Sequence, residues 1–98
     1  MARFLIEIPH EEETVACALV VQVFLKTGSH LLSNADWGCM DGVHKAWLIV
    51  DVDSKAEARA IIPPAFRADA IITALNKFTM EEIEDILRHH KSGAAEQA

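Results

Sequence analysis

The sequence predicts an α+β domain with the ferredoxin-like order βαββαβ, followed by one more helix. Short β-rich runs alternate with segments that begin at capping motifs and end at Gly or Pro. The right-handed crossover rule then gives a four-stranded antiparallel sheet in the order 4-1-3-2, with two helices on one face. A length of 98 residues favours one domain, over residues 1–91, and residues 92–98 are predicted to be a flexible tail.

The first part of the chain predicts a strand and a helix. Residues 3–8 form a β-rich run that Pro9 closes. Residues 14–26 predict a helix, because three Glu residues precede it and Gly28 follows its last Lys. The residues expected to face the core from this helix are Val15, Leu19, Val20, Val23 and Phe24.

A hairpin is predicted in the middle of the chain. Residues 30–39 favour a weak edge strand because they contain several polar side chains. Asp41-Gly42 is typical of a two-residue type I′ turn, which would place Cys39 opposite His44. Residues 43–52 are the clearest strand in the sequence.

Two capping motifs predict the remaining helices. The segment 54–57, Ser-Lys-Ala-Glu, is a capping box that opens a helix, and the double proline at 63–64 ends it. Residues 69–77 predict the fourth strand. The segment 79–82, Thr-Met-Glu-Glu, is a second capping box, and its helix is expected to run to about His90.

Composition excludes several classes of protein. A hydrophobic fraction of 51% with 24% charged residues is typical of a folded globular domain. The net charge of −6 leaves no basic stripe for phosphates, so a nucleic-acid-binding role is not expected. The sequence contains neither a signal-peptide pattern nor an apolar run long enough for a spanning helix. We therefore expect a soluble, cytoplasmic protein that does not bind membranes.

The third strand carries apolar residues on both of its faces. His44, Ala46 and Leu48 alternate with Lys45, Trp47 and Ile49, so Trp47 and Ile49 point away from the helices. An antiparallel sheet with one solvated face should alternate more cleanly. The alternatives are scattered surface apolars or a covered second face. We expect a homodimer in which a second copy covers Trp47 and Ile49.

Over residues 3–78 the chain resembles the dimeric α+β barrel superfamily, and within it the muconolactone isomerase-like branch. The resemblance rests on the loose spacings 28–31 (Gly-Ser-His-Leu), 42–44 (Gly-Val-His) leading to Trp47 and 51–52 (Asp-Val), Ser54 at a helix start, and 64–66 (Pro-Ala-Phe). It implies a ferredoxin-like fold and face-to-face dimers. No catalytic residue is carried over, because no position of this sequence matches one. Members include isomerases, cofactor-free monooxygenases, haem-dependent enzymes and proteins of no known activity, so the resemblance supports fold and dimerisation more than chemistry.

Topology predicts one cluster of chemically capable side chains. The end of strand one, the hairpin and the start of strand four meet at one sheet edge, which collects His10, Cys39, His44 and the loop bearing Arg67. His10 and His44 could act as acid and base, with Arg67 stabilising an anion. Alternatively His10, Cys39 and His44 could hold a transition metal, or Cys39 and His44 could form a nucleophilic pair. Ordinary packing without chemistry is the remaining alternative.

These candidates leave different classes of function open. One is a homodimeric enzyme, isomerase-like, or a binder of a small organic acid or lactone that needs no cofactor. Another is a non-catalytic oligomerising module, and a third is a metal-binding protein that uses the Cys/His cluster. Cys17, the other cysteine, is predicted to be a small core residue of the first helix.

Overall fold

A computed structural model describes residues 1–90. It is an α+β structure whose antiparallel sheet has the strand order β2-β3-β1-β4. The predicted order 4-1-3-2 is the same order read from the opposite edge of the sheet, so it is confirmed. The predicted tail, 92–98, lies outside the described residues. The elements are β1 (Ala2–Pro9), α1 (Thr14–Lys26), α2 (His30–Ser33), β2 (Asp36–Trp37), β3 (Lys45–Val52), α3 (Lys55–Ile61), β4 (Ile71–Leu75) and α4 (Met80–His89).

The core lies between one face of the sheet and the helices. Alternate residues of the two central strands are buried, as the period of two requires. Helices α1 and α3 bury residues in the same cluster, so the helices cover this face. The largest side chains in it, nearly or fully inaccessible to solvent, are Phe24, Ile6, Ile8 and Ile62.

Helix α1 has the predicted bounds but a different buried face. Its buried residues are Cys17, Val20 and Phe24, which share one face at spacings of three and four. Val15 and Leu19 are 62% and 54% exposed, and Val23 is also exposed. The prediction that these three face the core was wrong, because nearly all sides of this helix are apolar and the sequence alone could not fix its phase.

The second strand is much shorter than predicted. The segment expected as strand 30–39 contains helix α2, whose Leu32 amide is capped by the Ser29 hydroxyl, and then the two-residue β2. The predicted two-residue turn is also wrong. Trp37 is opposite Ala46, and the connection holds a 3₁₀ turn at Cys39–Asp41 that ends at Gly42 with φ 81°. Cys39 and His44 are therefore not a cross-strand pair.

Side-chain caps fix the other helix starts. Thr79 and Glu82 form the predicted capping box of α4 in full. At α3 the Ser54 hydroxyl accepts from the Glu57 amide, but the Glu57 carboxylate accepts from the Asp53 amide instead of Ser54. The predicted capping box at α3 is therefore formed only in its first hydrogen bond, and its second bond is made to the amide one residue earlier. Within residues 1–90, none of the helices combines the length and apolarity that crossing a membrane requires.

The sheet face opposite the helices remains accessible. Ile49 and Ile71 are 58% and 50% exposed, and Trp47 is half-buried. Charged side chains on this face lie near opposite charges: Arg3 is 3.6 Å from Asp51, and Lys45 is 3.9 Å from Glu7. Apolar and paired charged residues thus share one open surface.

Candidate metal centre

Four side chains with metal-ligating atoms meet at one end of the sheet. They are His10, Cys17, Cys39 and His44, which we call the Cys/His centre, and their ligand atoms all lie within 4.8 Å of one another. Cys17 is buried and the other three residues are partly buried. No other such group is found in residues 1–90.

The backbone brings together two parts of the chain, residues 10–17 and residues 39–44. His10 follows β1 directly, and its amide donates to the carbonyl of His44, which precedes β3. This bond continues the β1–β3 ladder by one step and brings the two imidazoles together edge to face, with ring centroids 5.6 Å apart. Cys17 points inward from the start of α1, which the Glu13 carboxylate caps.

A tight turn places Cys39 at the Cys/His centre. The amide of Val43 donates to the carbonyl of Gly38, and the amide of Gly42 donates to that of Cys39 itself. Gly38 is needed here because an added Cβ would lie 2.7 Å from the Trp47 ring and from the Val43 carbonyl oxygen. The turn therefore packs closely against β3 and directs Cys39 toward the imidazole of His10.

Three of the four ligand atoms lie at distances close to those of a tetrahedral metal site. Nε2 of His10 lies 3.2 Å from Sγ of Cys17 and 3.1 Å from Sγ of Cys39, and the two sulfurs are 3.3 Å apart. Bond lengths of about 2.3 Å for Zn–S and 2.0 Å for Zn–N place tetrahedral ligands roughly 3.5–3.8 Å apart. An outward movement of a few tenths of an ångström at these atoms would admit an ion.

The imidazole of His10 favours the neutral form, which is suited to ligation. Burial lowers the pKa of His10, and the neighbouring His44 lowers it further by charge repulsion, while the Ile8 backbone acts in the opposite direction. A neutral imidazole has a free acceptor nitrogen, which a metal needs. Nδ1 of His44 is buried without a hydrogen-bond partner, so this ring has a nitrogen whose bonding capacity no group in residues 1–90 satisfies.

The two thiols interact with each other. Sγ of Cys17 donates to Sγ of Cys39, and this hydrogen bond is the main reason that the pKa of Cys17 is raised. Desolvation and repulsion by a Cys39 thiolate raise it further. A dication between the sulfurs would reverse this effect, because it favours the thiolate form of both.

Aromatic rings enclose the inner side of the centre. The ring of Trp37 lies edge-on to His10 at 5.5 Å, and Phe24 lies edge-on to Trp37 at 5.0 Å. The ring centroid of Phe66 lies 5.8 Å from that of Phe24. An apolar surround lowers water access and strengthens the interactions of a bound ion.

The sequence located three of the four residues. His10, Cys39 and His44 converge as topology predicted, although the reason is the 3₁₀ turn and the extra ladder bond and not a type I′ hairpin. Cys17 was predicted only as a core residue. It is buried, but its sulfur faces the centre. Its position one turn into the helix that starts at this edge was the signal available in the sequence.

Arg67 does not belong to the Cys/His centre. Its guanidinium donates to the carbonyl oxygens of Ile62 at 2.7 Å and Ala60 at 3.1 Å, so it satisfies the C-terminal end of α3. These two hydrogen bonds account for the position of the Arg67 side chain. That Arg67 stabilises an anionic substrate stays a prediction.

An open cleft adjoins the centre. It has a volume of about 410 Å³, and His10 forms part of its wall. The charged residues in its lining are acidic: Glu11, Glu12 and Asp69. A negative surface beside the centre favours the approach of cations over anions.

Comparisons with known proteins identify no relative of this chain. No protein-family model matches the chain, and no curated protein or solved structure is significantly similar to it.

Proposed function

We propose that this protein binds a transition-metal ion, of which Zn²⁺ is the best fit, through the Cys/His centre. The observation that carries the proposal is the convergence of two thiols and two imidazoles within 4.8 Å. A Cys₂His₂ donor set is typical of structural zinc sites, and soft thiolates favour Zn²⁺ and Cu⁺ over Mg²⁺ or Ca²⁺. The buried and unpartnered Nδ1 of His44 supports the same conclusion.

The bound ion has a structural role in this proposal. Four protein ligands complete a tetrahedral shell, whereas catalytic zinc sites keep a position for water. A bound dication would supply charge that neutralises both thiolates and would cross-link the end of β1, the start of α1 and the β2–β3 connection. A domain of about 100 residues has a limited core, so such a cross-link is expected to add appreciably to its stability.

Acid–base catalysis on an organic acid has less support. His10 and His44 are adjacent, but the cleft that reaches His10 is lined by carboxylates. An anionic substrate would be repelled there, and the Arg67 guanidinium donates to backbone carbonyls of α3. Metal binding uses the same two imidazoles and is favoured by the acidic cleft.

Zinc affinity of single-residue variants tests the proposal. Cys39→Ser and His44→Ala should each lower the affinity for Zn²⁺ by roughly 100-fold or more, beyond the 10–100-fold typical of losing an outer-shell partner. Competition against a chromophoric chelator measures this. His30→Ala is the matched control, because His30 is exposed and lies outside the centre. Equal affinity in all three variants, or a wild type that binds no zinc, would contradict the proposal.

We further propose that the protein is a homodimer with a ferredoxin-like fold, in which two sheets pack face to face. The element order and strand order support the fold assignment. The open face supports the assembly, because Ile49 and Ile71 are exposed beside the half-buried Trp47 and its charges have partners within the same chain. Dimerisation would bury this apolar area.

A further inference from the structure

We infer that Cys17 and Cys39 form a reversible disulfide in the metal-free protein, so that thiol oxidation and metal binding exclude each other. The metal half of this inference rests on the proposed function. The disulfide half rests on the positions of the two thiols alone.

Geometry favours bond formation between these sulfurs. They are 3.3 Å apart, and a disulfide needs about 2.05 Å, so a movement of roughly 1.3 Å joins them. Cys39 lies in the short 3₁₀ turn between Gly38 and Gly42, outside the strands and the long helices. Cys17 is fixed in a helix. The movement therefore falls on the turn.

Exposure assigns a different role to each cysteine. Cys39 is partly exposed, whereas Cys17 is only 9% exposed beneath it. An external oxidant reaches Cys39 first, and Cys17 is placed to resolve the product. Nε2 of His10 lies within 3.2 Å of both sulfurs and can accept the proton that each thiol loses.

The oxidant that we specify is a small-molecule disulfide such as oxidised glutathione. The Cys39 thiolate attacks one of its sulfurs, which forms a mixed disulfide and expels one thiolate. The Cys17 thiolate then attacks Sγ of Cys39, closes the intramolecular bond and expels the second thiolate. Two electrons pass from the cysteines to the oxidant, and the two protons end on the two released thiols.

The consequence for the Cys/His centre is loss of its thiolate ligands. A disulfide sulfur is not a thiolate, so oxidation leaves only His10 and His44 to bind the ion. A bound ion in turn withdraws both sulfurs from attack. Oxidation therefore releases the metal, and the metal slows oxidation.

Oxidation of the metal-free protein tests the disulfide. After chelation and dialysis the wild-type protein is incubated with oxidised glutathione, and alkylatable thiols are counted by mass spectrometry under denaturing conditions. We expect loss of both thiols and a product two hydrogens lighter, without cross-linked dimers. Cys17→Ser should accumulate one glutathione adduct on Cys39, and Cys39→Ser should react far more slowly. Two persistent thiols, or a disulfide between chains, would overturn the inference.

A parallel incubation with Zn²⁺ alone added separates this inference from the proposed function. We expect oxidation to slow by at least tenfold, with release of zinc as the disulfide forms. If the disulfide forms at an equal rate with and without Zn²⁺, the proposed metal site fails while the disulfide stands. If the protein binds zinc but the metal-free thiols persist, the redox inference fails while the metal site stands.

Discussion

Gly42 terminates the turn that carries Cys39, and its backbone has φ 81°. L-residues with a side chain are strained in this region, whereas glycine is not. Asp41 has no such requirement, because every residue with positive φ among residues 1–90 is a glycine. A side chain would therefore be strained at position 42 but not at position 41.

Gly42→Val should lower the free energy of unfolding by about 1–3 kcal/mol, the usual cost of forcing a side chain into this conformation. Space around Gly42 is free, so the loss would come from the backbone and not from a clash. Asp41→Val is the matched control and should change stability by less than about 0.5 kcal/mol. Urea denaturation of both variants gives the comparison. Equal stability would show that this turn adopts another conformation.

Cys17 shows what residue-level analysis of the sequence could and could not predict. Its burial follows from its apolar surroundings in α1. Its contacts with His10 and Cys39 depend on the rotation of α1 about its axis. Packing against the sheet sets that rotation. The helix's own apolar side chains lie on nearly all of its sides, so its sequence indicates no preferred buried face. The position of Cys17 one turn into α1 placed it near this edge, but spacing alone could not show that its sulfur faces the centre.

At the scale of elements, the start of α1 depends on one exposed carboxylate. Glu13 accepts from the amides of Val15 at 3.1 Å and Ala16 at 2.8 Å. These bonds, that from Ala16 above all, lower the pKa of Glu13 below its ordinary value. A group whose pKa is lower in the folded state stabilises the fold while it is ionised, and this contribution is lost as the pH falls through the folded pKa.

The cap predicts a pH-dependent effect of Glu13→Gln. At pH 7 the variant should be less stable than the wild type, because an amide oxygen is a weaker acceptor than a carboxylate. At acid pH the difference should shrink, because the advantage of the carboxylate is lost as the pH falls through the lowered pKa of Glu13. Glu12→Gln, beside the cap but without these bonds, should show no such convergence. A Glu13→Gln deficit of the same size at both values of pH would contradict the electrostatic cap.

Elements with strong local signals were predicted well, and β2 was not. Helix α4 begins at the predicted capping box of Thr79 and Glu82, because that motif satisfies its amides locally. Residues 30–39 have mixed polar and apolar side chains that suit more than one conformation. The Ser29 cap and the burial of Leu32 select a short helix there, and burial depends on tertiary contacts.

At the scale of the whole molecule, the open sheet face predicts dimers. Wild-type protein should sediment as a dimer, and Ile49→Asp should sediment as a folded monomer, because a carboxylate would be desolvated in the interface. Ile49 is 58% exposed in the single chain, so the substitution is expected to leave the fold intact. Trp47→Asp should also prevent dimerisation, at some additional cost in stability.

Leu25→Asp is the matched control for the interface. Leu25 has the same exposure, 58%, but lies on α1, away from the sheet face. This variant should remain a dimer. A monomeric wild type, or a dimer that survives Ile49→Asp, would remove the sheet face as the interface.

The central claim is that two thiolates and two imidazoles bind one metal ion. X-ray absorption of the zinc-loaded protein measures the ligands directly. We predict two sulfur ligands at about 2.3 Å and two nitrogen ligands at about 2.0–2.1 Å, with one ion per chain. A shell of oxygen ligands only, a coordination number of six, or a spectrum that is unchanged in Cys39→Ser would contradict the account.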